Sequence, residues 1–154
     1  MARRFDGAAN QYLSVGTPAA SAVPVTLVCW ARVSVLGSVR TFLSIDDGTN
    51  DAVWIGVNAF DVSRAVSDQA GTARTATAGT IVDGNWHHYA GVFPSSTSRF
   101  MYLDGVVGTE NTQASTPAGL TQTQIGRRYT GGGSHNGDIA EAAVWLAALT
   151  RAEI

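Results

Sequence analysis

The chain has 154 residues, 45% of them hydrophobic and only 14% charged, with a net charge of −2. That length suits one domain, 1–154, with a buried core, and that balance excludes an intrinsically disordered chain. All ten cations are arginines and only Arg3-Arg4 and Arg127-Arg128 are adjacent, so no basic face points to nucleic acid, and no apolar run is long enough for membrane insertion.

In chain order, Met1-Ala2-Arg3-Arg4 leads directly into a first strand with no apolar leader, which reads as a protein made in the cytoplasm and not exported. Val25 to Val35 (VTLVCWARVSV) is rich in β-branched and aromatic residues, as strands are. It contains the single cysteine, Cys29, which reads as a buried free thiol, and one cysteine excludes an internal disulfide. Thr41 to Ile45, Ala52 to Val57, Trp86 to Phe93, Arg99 to Leu103 and Ile139 to Leu146 also read as strands. Asp46 to Asn50, Asp83-Gly84-Asn85, Pro94-Ser95-Ser96, Asp104-Gly105 and Thr130 to Gly137 supply the turns. Many short strands and almost no helix signal give an all-β antiparallel sandwich. The exception is a capping box at Thr150 and Glu153, which opens a helix in the last residues.

Period-two alternation assigns faces. Val53, Ile55 and Val57 share one side and Trp54 takes the other. Met101 and Leu103 oppose Phe100 and Tyr102, so both sides of that strand are expected to be covered. Asp104-Gly105 predicts a tight hairpin with positive φ. Trp30 and Trp86 are expected to anchor the core. His87 and His88 must point to opposite faces and cannot chelate one ion together; His88 is expected in the core.

The ordered motifs carry a resemblance. Arg4-Phe5-Asp6-Gly7 with Tyr12-Leu13-Ser14-Val15, the run to Trp30, Asp83-Gly84-Asn85-Trp86-His87-His88-Tyr89-Ala90, Tyr102-Leu103-Asp104-Gly105, Ile125-Gly126, and Gly137-Asp138-Ile139-Ala140-Glu141 with Leu149 and Glu153-Ile154 follow one another as in laminin-G-like domains. The chain resembles this family over nearly its whole length. The resemblance implies a two-sheet antiparallel jelly-roll sandwich of the concanavalin-A-like kind, with first and last strands adjacent. It departs at Ala140 and Ala143, where relatives often carry Asp and Arg, so a polar role at those positions is not carried over.

Several residues are candidates for contact with a ligand or partner. Trp54 and Trp145 stand opposite apolar neighbours and could serve as stacking platforms, while Tyr129 and His135 belong to the Gly-rich loop region, whose tip at Thr130 to Ser134 lacks the Lys of a phosphate loop. Asp46, Asp47 and Asp51 in the loop Asp46 to Asp51 are a candidate calcium site, because calcium takes several oxygen ligands, although the same residues also build ordinary turns. Catalysis is not expected. Glycoside cleavage needs two carboxyl groups facing one cleft, and the three glutamates, Glu110, Glu141 and Glu153, are not so placed by the strand pattern. No Gly-x-Ser-x-Gly elbow exists, and neither His87 nor His88 has an evident acid partner.

The expected function is therefore binding or structural. One reading is a virion surface protein of a bacteriophage, a decoration or tail component contacting other virion proteins, favoured by the missing leader and the weakly charged surface. The alternative is a carbohydrate-binding module of a larger or secreted, extracellular protein recognising a surface glycan. A homo-oligomer is compatible with either.

Overall fold

The computed structural model describes residues 1–129 and 133–154. The strands are β1 (Arg3–Phe5), β2 (Leu13–Val15), β3 (Val25–Val33), β4 (Arg40–Asp46), β5 (Ala52–Val57) and β6 (Val62–Gln69). They continue with β7 (Thr72–Thr80), β8 (His87–Ser95), β9 (Ser98–Leu103), β10 (Val106–Val107), β11 (Gln122–Ile125) and β12 (Gly137–Trp145). Two six-stranded sheets result, ordered β1-β12-β3-β8-β9-β10 and β2-β11-β4-β5-β6-β7. All pairings are antiparallel, and the terminal strands are neighbours, with Arg3 opposite Ile139. This is the jelly-roll sandwich that the alternation and the motif order imply.

The core lies between the sheets. From β3 it takes Val25, Leu27, Cys29, Ala31 and Val33; from β5 it takes Val53, Ile55 and Val57. Phe5, Phe42, Tyr89, Phe93 and Met101 fill the space between. Burying each large apolar side chain contributes roughly 1.5–3 kcal/mol. Cys29 is a buried free thiol, and burial pushes its pKa up. Gly56 on β5 is required by a bulge in β4 between Thr41 and Leu43, because a Cβ there would sit 2.0 Å from the Arg40 carbonyl oxygen.

Several expectations need correction. Trp30 and Trp86 are not core anchors; they are 40% and 38% exposed on the outer face of the first sheet. The inward positions of β3 belong to the smaller alternating set around Cys29 and Ala31, which leaves Trp30 opposite them. His88 follows Trp30 outward, since the two are cross-strand partners with ring centroids 5.3 Å apart. His87 does have acid partners: its Nδ1 lies 2.7 Å from Asp104 Oδ2 and its Nε2 3.2 Å from Asp83 Oδ1. Burial pulls its pKa down, but those two carboxylates outweigh burial and hold it above the ordinary value.

The second side of β9 is covered as expected. Tyr102 packs outward with Val28, Ala90 and Val92, and Phe100 and Ile154 lie against them. The Thr150–Glu153 box closes as a turn rather than a helix: Thr150 donates its N–H and its hydroxyl to the Glu153 carboxylate, each at 2.8 Å. Asp104 and Gly105 adopt φ of 50° and 75°, giving the hairpin between β9 and β10. β6 and β7 have no counterpart in the sequence reading; their inward residues Ser63, Ala65, Ser67 and Ala76 are too small to mark a strand.

Candidate functional site

The outer face of the second sheet is polar and crowded. Its rows follow from the register: Gln122, Asp46, Ala52 and Asp68 are successive cross-strand neighbours, and so are Ser14, Gln124, Ser44, Trp54 and Val66. Trp54 takes the outward side of β5, as the alternation requires, yet it is only 1% exposed. It is not an open stacking platform. The guanidinium of Arg64 lies 4.4 Å from its ring centroid and that of Arg128 4.1 Å, and Tyr129 packs beside it. Cation–π contacts of this kind contribute up to about 2 kcal/mol when desolvated.

The charges here do not balance. Trp54 Nε1 donates to Asp68 Oδ2 at 2.7 Å, and Arg128 Nε stands 3.8 Å from the same oxygen. Arg64 has no hydrogen bond or ion pair among the described residues, and its Nε is buried without a partner. Burial, then the positive charge of Arg128, lowers the Arg64 pKa to about 10. Burial raises the Asp68 pKa, against the pull of Trp54, Arg128 and Arg64. Two arginines thus share one carboxylate over one indole. Arg127 extends the cationic edge, lying 3.4 Å over the Tyr12 ring and donating Nε–H to Gln124 Oε1 at 2.7 Å.

The structure joins Trp54 and Tyr129 but separates the other candidates. Trp145 is 41% exposed on the outer face of the opposite sheet, across from Thr26. His135 is fully buried, edge-on to Phe42 at 5.2 Å and Phe5 at 6.1 Å, so it lines the core and is not a surface contact. Burial lowers its pKa to about 4. Thr130, Gly131 and Gly132 of the Gly-rich tip lie outside the described residues.

The carboxylates of the candidate calcium loop are already engaged by donors of the chain itself. Asp46 accepts from Ser44 Oγ, Gly48 N–H and the side-chain amides of Gln122 and Gln124. Asp47 accepts from the N–H groups of Thr49, Asn50 and Asp51. Asp51 accepts from Ala70 N–H and Ala118 N–H. Among the described residues no three acidic, His or Cys side chains are grouped for a metal.

Sequence reasoning missed Arg64, Asp68 and Arg128. Only the period-two spacing of Arg64, Val66 and Asp68 on β6 could have flagged the first two.

A laminin-G family model described as the concanavalin A-like lectin/glucanases superfamily matches residues 6–154. The chain belongs to that superfamily. Its solved neighbours include lectin-like domains of the same fold. Domain 4 of AbnA, an extracellular arabinanase of Geobacillus stearothermophilus in complex with arabinotriose, is 18% identical with a TM-score of 0.75, over 99% of this chain and 73% of that one. The CBM40 of the Ruminococcus gnavus IT-sialidase bound to α2,3-sialyllactose is 12% identical with a TM-score of 0.71, over 99% and 95%. Domains LG4-5 of the mouse laminin α1 chain are 14% identical with a TM-score of 0.72, over 92% of this chain and 40% of theirs, so this chain spans less than half of that laminin fragment. No curated protein sequence matches. These likenesses establish the concanavalin A-like fold; they add nothing to the virion-protein expectation, while several of the neighbours are glycan complexes.

Proposed function

We propose that the protein is a non-catalytic glycan-binding module that takes an acidic sugar on the outer face of the second sheet. The observation that carries this reading is Arg64, which makes no direct ion pair or hydrogen bond among the described residues and shares the nearby charge of Asp68 with Arg128, both guanidinium groups lying over the Trp54 ring. A guanidinium presents a planar fork that matches a carboxylate, and neighbouring arginines that repel each other gain most from an anion. Trp54 acts as the support that fixes both guanidinium groups. Tyr129 borders the same surface, while Gln124 and Ser44 lie buried beneath it, bonded to Asp46 and Arg127. The glycan ligands named for the arabinanase domain and the CBM40 support the ligand class.

Binding without cleavage is supported by the state of the local acids. Asp46 is saturated by four donors and Asp68 is tied to Trp54 and Arg128, so neither is disposed as a free acid or base. The test is isothermal titration with α2,3-sialyllactose against lactose, which lacks the carboxylate. The expected result is binding of the acidic sugar at this face, lost in Arg64→Ala and weakened by salt. Equal affinity for both sugars, or unchanged binding in Arg64→Ala and Arg128→Ala, overturns the reading.

A further inference from the structure

The outer face of the first sheet carries a second feature that the acidic-sugar site does not use. A cleft of about 440 Å³ opens there between Trp30, His88, Asp104, Gly105 and Ile154. Pockets for small ligands start at roughly 300 Å³. We infer that this cleft is a second binding site, for a neutral sugar ring stacked on Trp30; the ligand class rests on the glycan-binding reading.

The walls have two characters. On one side Trp30 keeps 40% of its surface exposed, in a sheet whose next outward row, Val28, Ala90 and Tyr102, is buried. On the other, Asp104 and His88 offer polar atoms. A sugar ring has the matching duality, with an apolar C–H face for the indole and a rim of hydroxyls for the carboxylate and imidazole. A purely apolar occupant would strip water from the half-exposed Asp104 carboxylate and leave its remaining lone pairs unfilled, which is costly.

The polar side is held in place. Asp104 Oδ1 accepts the His88 N–H at 2.8 Å, and Oδ2 lies 2.7 Å from His87 Nδ1. Each oxygen retains a second lone pair for a sugar hydroxyl. The His88 imidazole makes no hydrogen bond among the described residues, and burial lowers its pKa, so the neutral ring can donate at one nitrogen and accept at the other. The aromatic side is also braced. Trp30 leans on His88, and Arg32, locked to Asp138 Oδ2 at 2.6 Å, lies 5.9 Å from the Trp86 ring centroid.

Charge separates the two faces. Asp104 at the rim and Glu141 near His88 give this cleft negative character, which disfavours an acidic sugar. The opposite sheet presents Arg64 and Arg128, two cations to one carboxylate. The two sites therefore divide neutral from acidic residues of a glycan.

The test uses the full chain and a panel of neutral oligosaccharides: lactose, arabinotriose, and xylo-, cello- and manno-oligosaccharides. Affinity is read by titration and the site by amide chemical-shift mapping. The expected result is binding of at least one neutral probe, with shifts at Trp30, His88 and Asp104. Trp30→Ala should weaken it about tenfold or more, and His88→Ala should weaken it as well, while both variants keep the wild-type melting temperature and sialyllactose affinity. No neutral probe binding, shifts confined to the second sheet, or unchanged affinity in Trp30→Ala overturns the proposal. Self-association lost in Trp30→Ala would assign the cleft to a second copy and also overturn it. Neutral binding at Trp30 without any acidic binding leaves this proposal standing and removes the role of Arg64; acidic binding alone does the reverse.

Discussion

Trp54 donates its indole N–H to Asp68 across 2.7 Å, and through that bond one acid positions both the ring and the arginine beside it. Replacing Asp68 with Ala leaves a buried N–H unsatisfied and two arginines facing each other. We expect a loss of about 2–3 kcal/mol, since unsatisfied buried donors and broken buried pairs each cost on that order. Chemical denaturation of Asp68→Ala checks this, with Trp54 fluorescence reporting whether the ring has moved.

Arg64→Lys keeps the charge and removes the fork. If a carboxylate is held by two parallel N–H donors, the lysine variant should recover only a small part of the sialyllactose affinity lost in Arg64→Ala. Full recovery would mean that Arg64 acts as a point charge. Titrations at two salt concentrations separate the two cases.

His135 gives the fold an acid-sensitive point. Its folded pKa lies near 4, below the ordinary value of 6.5, because burial disfavours the charged ring. Above 6.5 both states are neutral and the contribution is constant. As pH falls from 6.5 toward 4 the unfolded chain takes up the proton first, so stability declines across that window, by up to about 3 kcal/mol at roughly 1.4 kcal/mol per unit. Melting temperatures measured from pH 7 to 4 should fall, and His135→Gln should flatten the slope.

Gly56→Ala should be among the most damaging single methyl additions. The new Cβ would meet the Arg40 carbonyl at 2.0 Å, and backbone cannot swing aside as a side chain can. A loss of about 3 kcal/mol or more is expected, in line with overpacking of a rigid site; soluble yield and denaturation midpoint are the readouts.

Calcium and EDTA should leave the melting temperature unchanged. The Asp46, Asp47 and Asp51 carboxylates each hold donors of the chain itself, and no acidic cluster among the described residues gathers them around one point for a cation. A clear rise on adding calcium would refute this.

The fold was legible because large residues at period two mark the inward faces of β3 and β5, and the Asp104-Gly105 hairpin follows from turn chemistry alone. Bulk and alternation disagree about which side of β3 faces the core. Trp30 outweighs its neighbours Cys29 and Ala31, which suggests burial, while alternation with them puts it on the outer side, and alternation wins. The acidic-sugar site was half legible. Trp54 stands out on its strand, but Arg64 and Asp68 sit on β6 opposite Ser63, Ala65 and Ser67, where no apolar alternation marks a strand at all. Arg128 reaches Trp54 from a loop that only the tertiary structure brings across.

The pairing of β1 with β12 bears on how the chain is assembled during synthesis. β4 to β7 form a run of consecutive hairpins within residues 40–80, so the strands carrying Trp54, Arg64 and Asp68 can associate from local contacts as soon as they emerge. The first sheet cannot close until residues near 139 are available, because β3 needs β12 on one side and β1 pairs with β12 alone among the described residues. Nonlocal closure of this kind is slow. Until it happens, β3 presents an unpaired edge, making the late arrival of the last strand the step at which the nascent chain is most exposed to mispairing.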